Sequence, residues 1–311
     1  MTTPPARGAC VVSIDTELAW GEAHRRGGDP AHAYDGEREA VAGILDVLAR
    51  HQVPATWAIV GHLFLDRCER SGGRPHPEVV RPDFAWLDGD WFDVDPCSDR
   101  TEAPDYYAPD VVDAIRACPV PQEIGCHSFA HVMAGDPGCS REAFLSDLVA
   151  CRAAAGDQPL RSFVYPRNSV GYVDALPAVG FTAYRGHPPA PFAGRPALRL
   201  LDRVRPLAGS AVRPARDPSG VWDVPQTFLL APATRRRWLP VGLWVRRPKA
   251  RLRQAARERS LFHLWFHPYN VTADPPRALA ALDAICAEAA RLRQAGRLDT
   301  LTMGGLAAAA G

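Results

Sequence analysis

The sequence predicts one α/β domain whose sheet is mainly parallel. Its 311 residues are too many for a minimal domain and few for two full ones, and the hydrophobic share of 47% is ordinary for a globular protein. Short β-branched or aromatic runs alternate with longer segments of helical periodicity. Strands that alternate with helices pair in parallel through right-handed crossovers. In such folds, chemistry gathers at the C-terminal ends of the strands.

The predicted strands are short and are mostly bounded by Gly, Pro or charged residues. The predicted strands are Cys10–Asp15, Ala55–Val60, Gln122–Cys126, Ser162–Tyr165, Phe181–Tyr184, Val221–Val224, Leu261–His267 and Leu298–Leu301. The predicted helices are Gly36–His51, Pro109–Ala117, Arg141–Ala155, Gly171–Val179 and Pro275–Ala295. The last helix carries apolar residues at three- and four-residue steps, which predicts one buried face.

Two segments interrupt the alternation of strands and helices. Residues 69–108 are long, irregular and aromatic, which is typical of a binding lid. Residues 194–260 hold 15 Arg and one Lys against four acidic residues, although the whole chain has a net charge of only +1. This asymmetry indicates either a basic face that meets an anionic group or basic residues scattered over solvated surface.

Composition also bounds the location and the partners. No apolar run approaches the roughly 20 residues of a membrane span, and the Pro-rich start has no signal-peptide pattern. We therefore expect a cytoplasmic protein, with at most peripheral membrane contact and no nucleic-acid partner. The eight cysteines include no CxxC pair, so we expect reduced, largely buried thiols.

Candidate metal ligands follow two of the predicted strands. Asp15 and Glu17 lie two residues apart at the end of the first strand, where they point the same way if the strand continues. His127 and His131 follow the third strand, and on a helical turn residues four apart share a face. Together these groups predict a three-ligand metal site with positions open to water and substrate, as in catalytic sites. Each pair alone is more often a cap, a solvated loop or coincidence.

Other histidines and one cysteine are further candidates for this site. His267 ends a strand that stops at proline, so it would lie at the active face, whereas His263 lies inside the same strand and reads as a core residue. His62 and His51 show no partner pattern, and His187 near a strand end is a reserve ligand. Cys126 borders the first histidine, but strand alternation turns its side chain the other way.

These pieces, in this order, resemble the polysaccharide deacetylase family, also described as NodB-homology proteins or carbohydrate esterase family 4. Ser13–Glu17 is similar to a DxE variant of the family's first motif, and His127–His131 matches its HSxxH motif, with Ser128 at the serine position. Phe163–Asn168 resembles the Arg/Pro-rich third motif, and Val221–Pro225 the fourth. The resemblance spans residues 8–306 and includes the second strand, Ala55–Gly61.

The resemblance implies a distorted (β/α) barrel in a single domain and a divalent metal, with zinc expected and cobalt, nickel or manganese as alternatives. It implies that Asp15 is the general base and that Glu17, His127 and His131 are the metal ligands. By the same resemblance, Arg167 would orient Asp15, Asp223 would steady Arg167, and His267 would protonate the leaving amine. We expect aromatic residues of the lid and the third motif, namely Trp86, Trp91, Tyr106 and Tyr165, to contact the sugar. For the three lid residues, packing of the insert onto the barrel is the alternative.

The implied activity is hydrolysis of an N-acyl amide, an N-acetyl group above all, on an amino sugar or a sugar-containing biosynthetic intermediate. The basic segment favours a phosphate-bearing substrate, such as a nucleotide- or lipid-linked sugar, and a cytoplasmic location disfavours wall polymers. Two alternatives stay open: a deformylase or small-amide amidohydrolase on the same fold, and an inactive glycan-binding relic. The oligomeric state is not specified by the sequence.

Overall fold

Ten strands form one curled sheet in the computed structural model, which describes residues 7–24, 36–188, 211–232 and 238–310. The strands are β1 (Gly8–Thr16), β2 (Thr56–Ile59), β3 (Glu123–Cys126), β4 (Ser162–Val164), β5 (Ala183–Arg185), β6 (Ala215–Arg216), β7 (Trp222–Asp223), β8 (Phe228–Leu229), β9 (Leu261–Phe266) and β10 (Leu298–Leu301). Eight of them overlap the predicted strands, and the sequence prediction missed the two-residue strands β6 and β8.

The sheet has the order β6-β7-β5-β4-β3-β2-β1-β9-β8, and β10 also pairs with β1. All of its pairings are parallel except that of β6 with β7. The curled, mostly parallel sheet with its covering helices is a distorted (β/α) barrel, as the sequence predicts. The C-terminal ends of the parallel strands therefore meet at one rim of the barrel.

Helices cover the outer face of the sheet. They are α1 (Ala19–Glu22), α2 (Glu37–His51), α3 (Pro109–Arg116), α4 (Arg141–Ala155), α5 (Val241–Trp244), α6 (Arg246–Glu258), α7 (Tyr269–Thr272), α8 (Pro275–Gln294) and α9 (Met303–Ala310). Two of the long helices begin at capping side chains, because Ser140 accepts from the Ala143 N–H and Asp274 accepts from the Arg277 N–H. None of the described helices combines the length and the apolar character needed to cross a bilayer.

The predicted helix Gly171–Val179 is wrong. The structure has two 3₁₀ turns there, Val173–Ala175 and Pro177–Val179. Proline lacks the N–H that a continuing helix needs, and it disfavours helical geometry in the residue before it, so the second turn starts anew at Pro177.

Strand β1 lies in the middle of the sheet. All nine of its residues are buried, and it pairs with β9 on one edge and with β2 and β10 on the other. Because the strand is hydrogen-bonded on both edges, its C-terminal residues are fixed in direction at the barrel rim. The rim position of Asp15 and Glu17 follows from this pairing.

The insert between β2 and α3 has the irregular form that the sequence predicts. Isolated bridges, Arg67–Asp99 and Ser71–Arg74, are its only ladder contacts within the described residues, and the rest is turns and extended chain. Its role as a lid, like the domain bounds 8–306, stays a prediction. Of the basic segment 194–260, residues 194–210 and 233–237 lie outside the described residues. The described part includes α6, whose Leu252 and Ala255 are buried.

Candidate active site

A cavity of about 330 Å³ opens at the C-terminal ends of the central strands. Side chains from β1, the loop after β3, the turn after β4 and the end of β9 line it. The lining residues include Asp15, Glu17, His131, Arg167, Trp265 and His267. The two acidic residues and two of the histidines predicted for the site therefore share one cavity.

Glu17 joins the two histidines of the HSxxH motif. Its Oε1 atom is 2.9 Å from His127 Nε2 and 3.3 Å from His131 Nε2, and all three residues are buried. Burial raises the pKa of Glu17, but the neighbouring imidazoles outweigh burial and hold that pKa well below its usual value. The predicted three-residue ligand set converges as expected, and its role in binding metal stays a prediction.

The loop that carries the histidines is not the predicted helical turn. Ser128 and His131 have left-handed backbone conformations, with φ angles of 67° and 60°. These residues bend the chain back, so the rings of His127 and His131 meet with their centroids 5.2 Å apart without a helix. The Ser128 hydroxyl accepts from the Val132 N–H at 2.8 Å, which closes the loop on itself.

Asp147 of α4 holds the same loop through hydrogen bonds to its backbone. Its carboxylate accepts the N–H groups of Phe129 at 2.9 Å and of Ala130 at 3.1 Å. Burial raises the pKa of Asp147 to about 6, although these hydrogen bonds favour the charged form. The polypeptide between the two histidines is thus held by an anchor that the sequence analysis did not identify.

Asp15 forms a buried ion pair with Arg185, the last residue of β5. The two terminal guanidinium nitrogens of Arg185 donate to the carboxylate at 2.6 Å each, and both residues are almost fully buried. Arg185 also donates to Ser13 Oγ at 3.0 Å, and its guanidinium lies 4.6 Å from the centre of the Trp265 ring. Burial raises the pKa of Asp15, but Arg185, together with His127 and His267, outweighs burial and lowers that pKa, so the carboxylate stays ionised.

The predicted partner of Asp15, Arg167, is wrong. Arg167 lies on the 3₁₀ turn Pro166–Asn168 with a φ angle of 50°, and its side chain is exposed at the mouth of the cavity. Among the described residues it makes no hydrogen bond or ion pair. The turn aims its side chain outward, whereas β5 aims Arg185 into the barrel.

The predicted support of Arg167 by Asp223 is wrong as well. Asp223 of β7 pairs in register with Tyr184, and its carboxylate meets the Gly186 N–H. Burial raises the pKa of Asp223 to about 6. Asp223 therefore lies beside the strand that carries Arg185 and has no contact with Arg167 in the described structure.

His267 completes the site from the end of β9. Its Nε2 atom is 3.3 Å from Glu17 Oε1 and 3.6 Å from Asp15 Oδ2, and the ring stacks on Tyr269 with a centroid distance of 4.4 Å. Burial lowers the pKa of His267, but the two carboxylates outweigh burial and raise it to about 9. The Asn270 side-chain oxygen accepts from the His267 backbone N–H at 3.0 Å and fixes the turn.

His263 is the core histidine that the sequence analysis expected. Its ring nitrogens lie 3.1 Å from the Val224 carbonyl oxygen and 2.8 Å from Ser13 Oγ, and the side chain is fully buried. Cys126 faces Cys151 inside the core, so it offers no sulfur to the histidine cluster. His187 is exposed and offers no ligand at the cavity.

The aromatic residues predicted to bind sugar divide into two groups. Trp91 and Tyr165 are almost fully buried, so the prediction that they contact substrate is wrong. Tyr106 is half-buried with its ring edge-on to Trp20, and Trp86 is half-buried and stacked on Phe84. The aromatic walls of the cavity are instead Trp265 and Tyr269, which the sequence analysis did not assign to the site.

Fold and side chains together define a class of protein: an α/β barrel with a carboxylate–histidine cluster at the carboxyl rim of its sheet. The solved structures that share this fold include two that are named as polysaccharide deacetylases. The one from Mycobacterium smegmatis aligns with a TM-score of 0.61 and 15% identity, over 100% of this chain and 95% of that chain. The one from Pseudomonas aeruginosa PAO1 aligns with a TM-score of 0.59 and 12% identity, over 96% and 89%.

The chain therefore has the fold of the polysaccharide deacetylase structures along its whole length. The sequence itself matches no protein-family model, and no curated protein matches it. At these identities the likeness concerns the fold, and the chemistry of this chain has to be inferred from its own side chains.

Proposed function

We propose that this chain is a metal-dependent de-N-acylase of the polysaccharide deacetylase family, in its DxE branch, that removes an acetyl group from an amino sugar. One observation carries the proposal: the Glu17, His127 and His131 cluster shares a cavity with the Asp15–Arg185 ion pair and with His267. This is the set of groups that amide hydrolysis needs: metal ligands, a general base and a general acid within a few ångströms.

The donor atoms fit a divalent cation. His127 Nδ1 lies 2.8 Å from the Val164 carbonyl oxygen, so this nitrogen carries a proton and donates it. The Nε2 atom of the neutral ring then directs a lone pair at the Glu17 oxygen 2.9 Å away. The Nε2 lone pair and the carboxylate oxygen are both hydrogen-bond acceptors, so they attract each other only when a proton or a cation lies between them. Two imidazoles and one carboxylate suit zinc, and also cobalt, nickel or manganese.

Glu17, His127 and His131 would hold this ion, which when bound polarises an acyl carbonyl and acidifies water. Asp15, kept ionised by Arg185, takes a proton from the water that attacks the amide carbon. As the C–N bond breaks, His267 gives its proton to the leaving nitrogen, because an amide anion is too basic to leave unaided. Such proton transfers contribute roughly 10²- to 10⁴-fold each.

The walls of the cavity suggest how a sugar would be placed. Trp265 and Tyr269 offer aromatic faces beside the catalytic carboxylates, and a cavity of about 330 Å³ admits an N-acyl sugar residue. Arg167 at the mouth offers a cation that has no partner among the described residues. This arrangement favours an amino sugar that bears an anionic group, such as the phosphate of a nucleotide or lipid carrier.

The test is a screen of purified, metal-loaded protein for acid release from N-acetyl and N-formyl amino sugars, both free and phosphate-linked. Acetate release that disappears in Asp15→Asn, with metal content unchanged, supports the proposal. Formate release alone would instead identify the deformylase alternative. Sugar binding without stoichiometric metal or acid release would make the protein a glycan-binding relic, and the proposal would fail.

A further inference from the structure

A second group of potential metal ligands lies outside the cavity. His62 follows β2 on the 3₁₀ turn Gly61–Phe64, whereas Cys68, His76 and Asp95 all belong to the insert. Each offers one donor atom, and the four atoms lie within 4.8 Å of one another. Side chains separated by up to 33 residues are thus gathered at one point beneath the insert.

Three of the donor atoms form a nearly equilateral triangle. His62 Nε2, His76 Nε2 and Asp95 Oδ2 are 3.1 Å apart along each edge. Hydrogen bonds are close to linear, so protons on such a triangle cannot serve all three edges with good geometry. Ligands about 2.0–2.3 Å from a tetrahedral ion are, by contrast, roughly 3.3–3.6 Å apart, close to the observed separations.

The thiol supplies the fourth corner. Cys68 Sγ is 3.4 Å from Asp95 Oδ2 and 3.6 Å from Asp95 Oδ1, and these donor atoms face the two imidazoles. Two neutral imidazoles, one thiolate and one carboxylate carry two negative charges in total, which balances a divalent cation. Four protein ligands leave no position open to substrate, which is the pattern of a structural site.

The surroundings leave the right atoms free to bind metal. His62 Nδ1 is 3.0 Å from the Tyr106 carbonyl oxygen, so the proton lies on Nδ1 and the Nε2 lone pair faces the cluster. Asp95 Oδ1 accepts from the Tyr107 hydroxyl at 3.0 Å and from the Cys97 N–H at 2.9 Å. Its other oxygen, Oδ2, is left to point at the histidines and the thiol.

The cluster is largely buried. The side chains of His62 and Asp95 are fully buried, that of His76 is 10% exposed, and Cys68 is partly exposed at the edge of a pocket. Phe92 and Phe129 pack against His76, with their ring centroids 5.1 Å and 5.0 Å from that of His76. The apolar rings on this side strengthen the attraction of an ion to its ligands.

We propose that His62, Cys68, His76 and Asp95 bind a structural zinc ion that fastens the insert to the barrel. The insert has only isolated bridges among its described residues, and an ion would add a fixed point to its packing against the barrel. The effect extends to the catalytic loop, because Trp91 of the insert donates to the Ala130 carbonyl at 2.9 Å and Phe129 packs on the cluster. This second ion is independent of the catalytic metal.

Cobalt substitution separates the two sites. The full chain, stripped and reloaded with Co²⁺, should bind two equivalents and show the near-ultraviolet thiolate-to-cobalt charge-transfer band. The cavity offers only nitrogen and oxygen ligands, so this band reports the second site alone. Cys68→Ser should lose the band and one equivalent of metal, whereas Cys118→Ser, a half-buried thiol elsewhere, should keep both.

His131→Ala provides the reciprocal test without touching the cluster. It should bind one equivalent and keep the charge-transfer band, and removing that last ion should lower its melting temperature by several degrees. A folded His131→Ala protein that binds no metal, or a Cys68→Ser protein that keeps the band, would overturn the proposal. Because these measurements need no substrate, they stand whether or not the protein deacetylates sugars.

Discussion

Arg185 holds Asp15 through two hydrogen bonds of 2.6 Å, from the end of one barrel strand to the end of another. The two residues are 170 positions apart in the chain, and both are buried. A bidentate pair fixes the carboxylate in direction as well as in charge, and lysine cannot reproduce this planar contact. The direction and the ionised state of the Asp15 carboxylate therefore depend on Arg185.

We expect Arg185→Lys to lower kcat by roughly 10²-fold or more and to reduce the free energy of unfolding by about 1–3 kcal/mol, because lysine keeps the charge but cannot make the bidentate contact with the buried carboxylate. Arg167→Lys is the matched control, since that side chain is exposed and should leave both quantities nearly unchanged. Steady-state kinetics and denaturant unfolding would check this. A larger loss of kcat in Arg167→Lys would show that the pairing has been misassigned.

Asp15→Asn and His131→Ala should fail in different ways. The first keeps the Glu17, His127 and His131 cluster, so the variant should retain metal while turnover falls by roughly 10²- to 10⁴-fold. The second removes a ligand and should lose metal and activity together. Elemental analysis of dialysed protein alongside acetate release distinguishes these results. Full activity in Asp15→Asn would refute its role as base.

His267→Gln should lower kcat by roughly 10²- to 10⁴-fold while KM changes little, because the imidazole donates its proton only as the C–N bond breaks. A substrate analogue with a good leaving group needs no such proton, so its hydrolysis should be almost unaffected. His263→Gln is not a suitable control, since that ring is a buried core group. An equal loss with both substrates would assign His267 to positioning instead.

Arg167→Ala should raise KM about 10- to 100-fold for a phosphate-bearing amino sugar, with little change for the neutral sugar, because a charge-assisted contact is lost. Arg161→Ala removes an exposed arginine just before β4, away from the cavity, and should change neither value. The ratio of kcat/KM for the two substrates is the informative measurement. An unchanged ratio in Arg167→Ala would exclude this contact.

Glu37 makes stability depend on pH. The residue is 1% exposed at the start of α2, and neither carboxylate oxygen has a hydrogen-bond partner among the described residues. Burial, with Glu17 nearby, raises the pKa of Glu37 from 4.5 to about 8. Between those values the folded state holds a proton that the unfolded chain has released, so stability falls as pH rises from about 4.5 to about 8.

Glu37→Gln should remove this dependence and stabilise the protein above pH ~8 by a few kcal/mol at most, at roughly 1.4 kcal/mol per pKa unit. The exposed Glu39→Gln on the same helix is the control and should follow the wild type. Denaturant unfolding at pH values from about 5 to about 9 would check the slopes. Parallel curves for wild type and Glu37→Gln would contradict the assignment.

The sequence predicted those parts of the site whose positions depend on local patterns. Asp15 and Glu17 end a buried strand and the histidines share a short motif, so their meeting follows from parallel pairing. Arg185 escaped prediction because β5 has only three residues, and its side chain reaches Asp15 across the curled sheet, which no local pattern encodes. Arg167 was misplaced because a motif gives a position in the chain, whereas a left-handed turn decides where the side chain points.

The second group of potential metal ligands escaped prediction for a different physical reason. His62 showed no partner pattern because its neighbours Cys68, His76 and Asp95 follow at uneven intervals through a segment without regular structure. Spacing predicts ligands only when a helix or strand sets the geometry between them. In the insert, the folded path of the chain sets it, and the sequence does not reveal that path.

Strand β1, buried along all nine residues and paired on both edges, carries Asp15 and leads directly into Glu17. Such a strand exchanges its amide protons only when the whole barrel opens. Heat or denaturant should therefore leave the reacting groups in order until the protein melts as a unit. Resistance to unfolding therefore depends on the middle of the sheet. The turns around the rim can change in sequence, and so alter which substrate is bound, without weakening it.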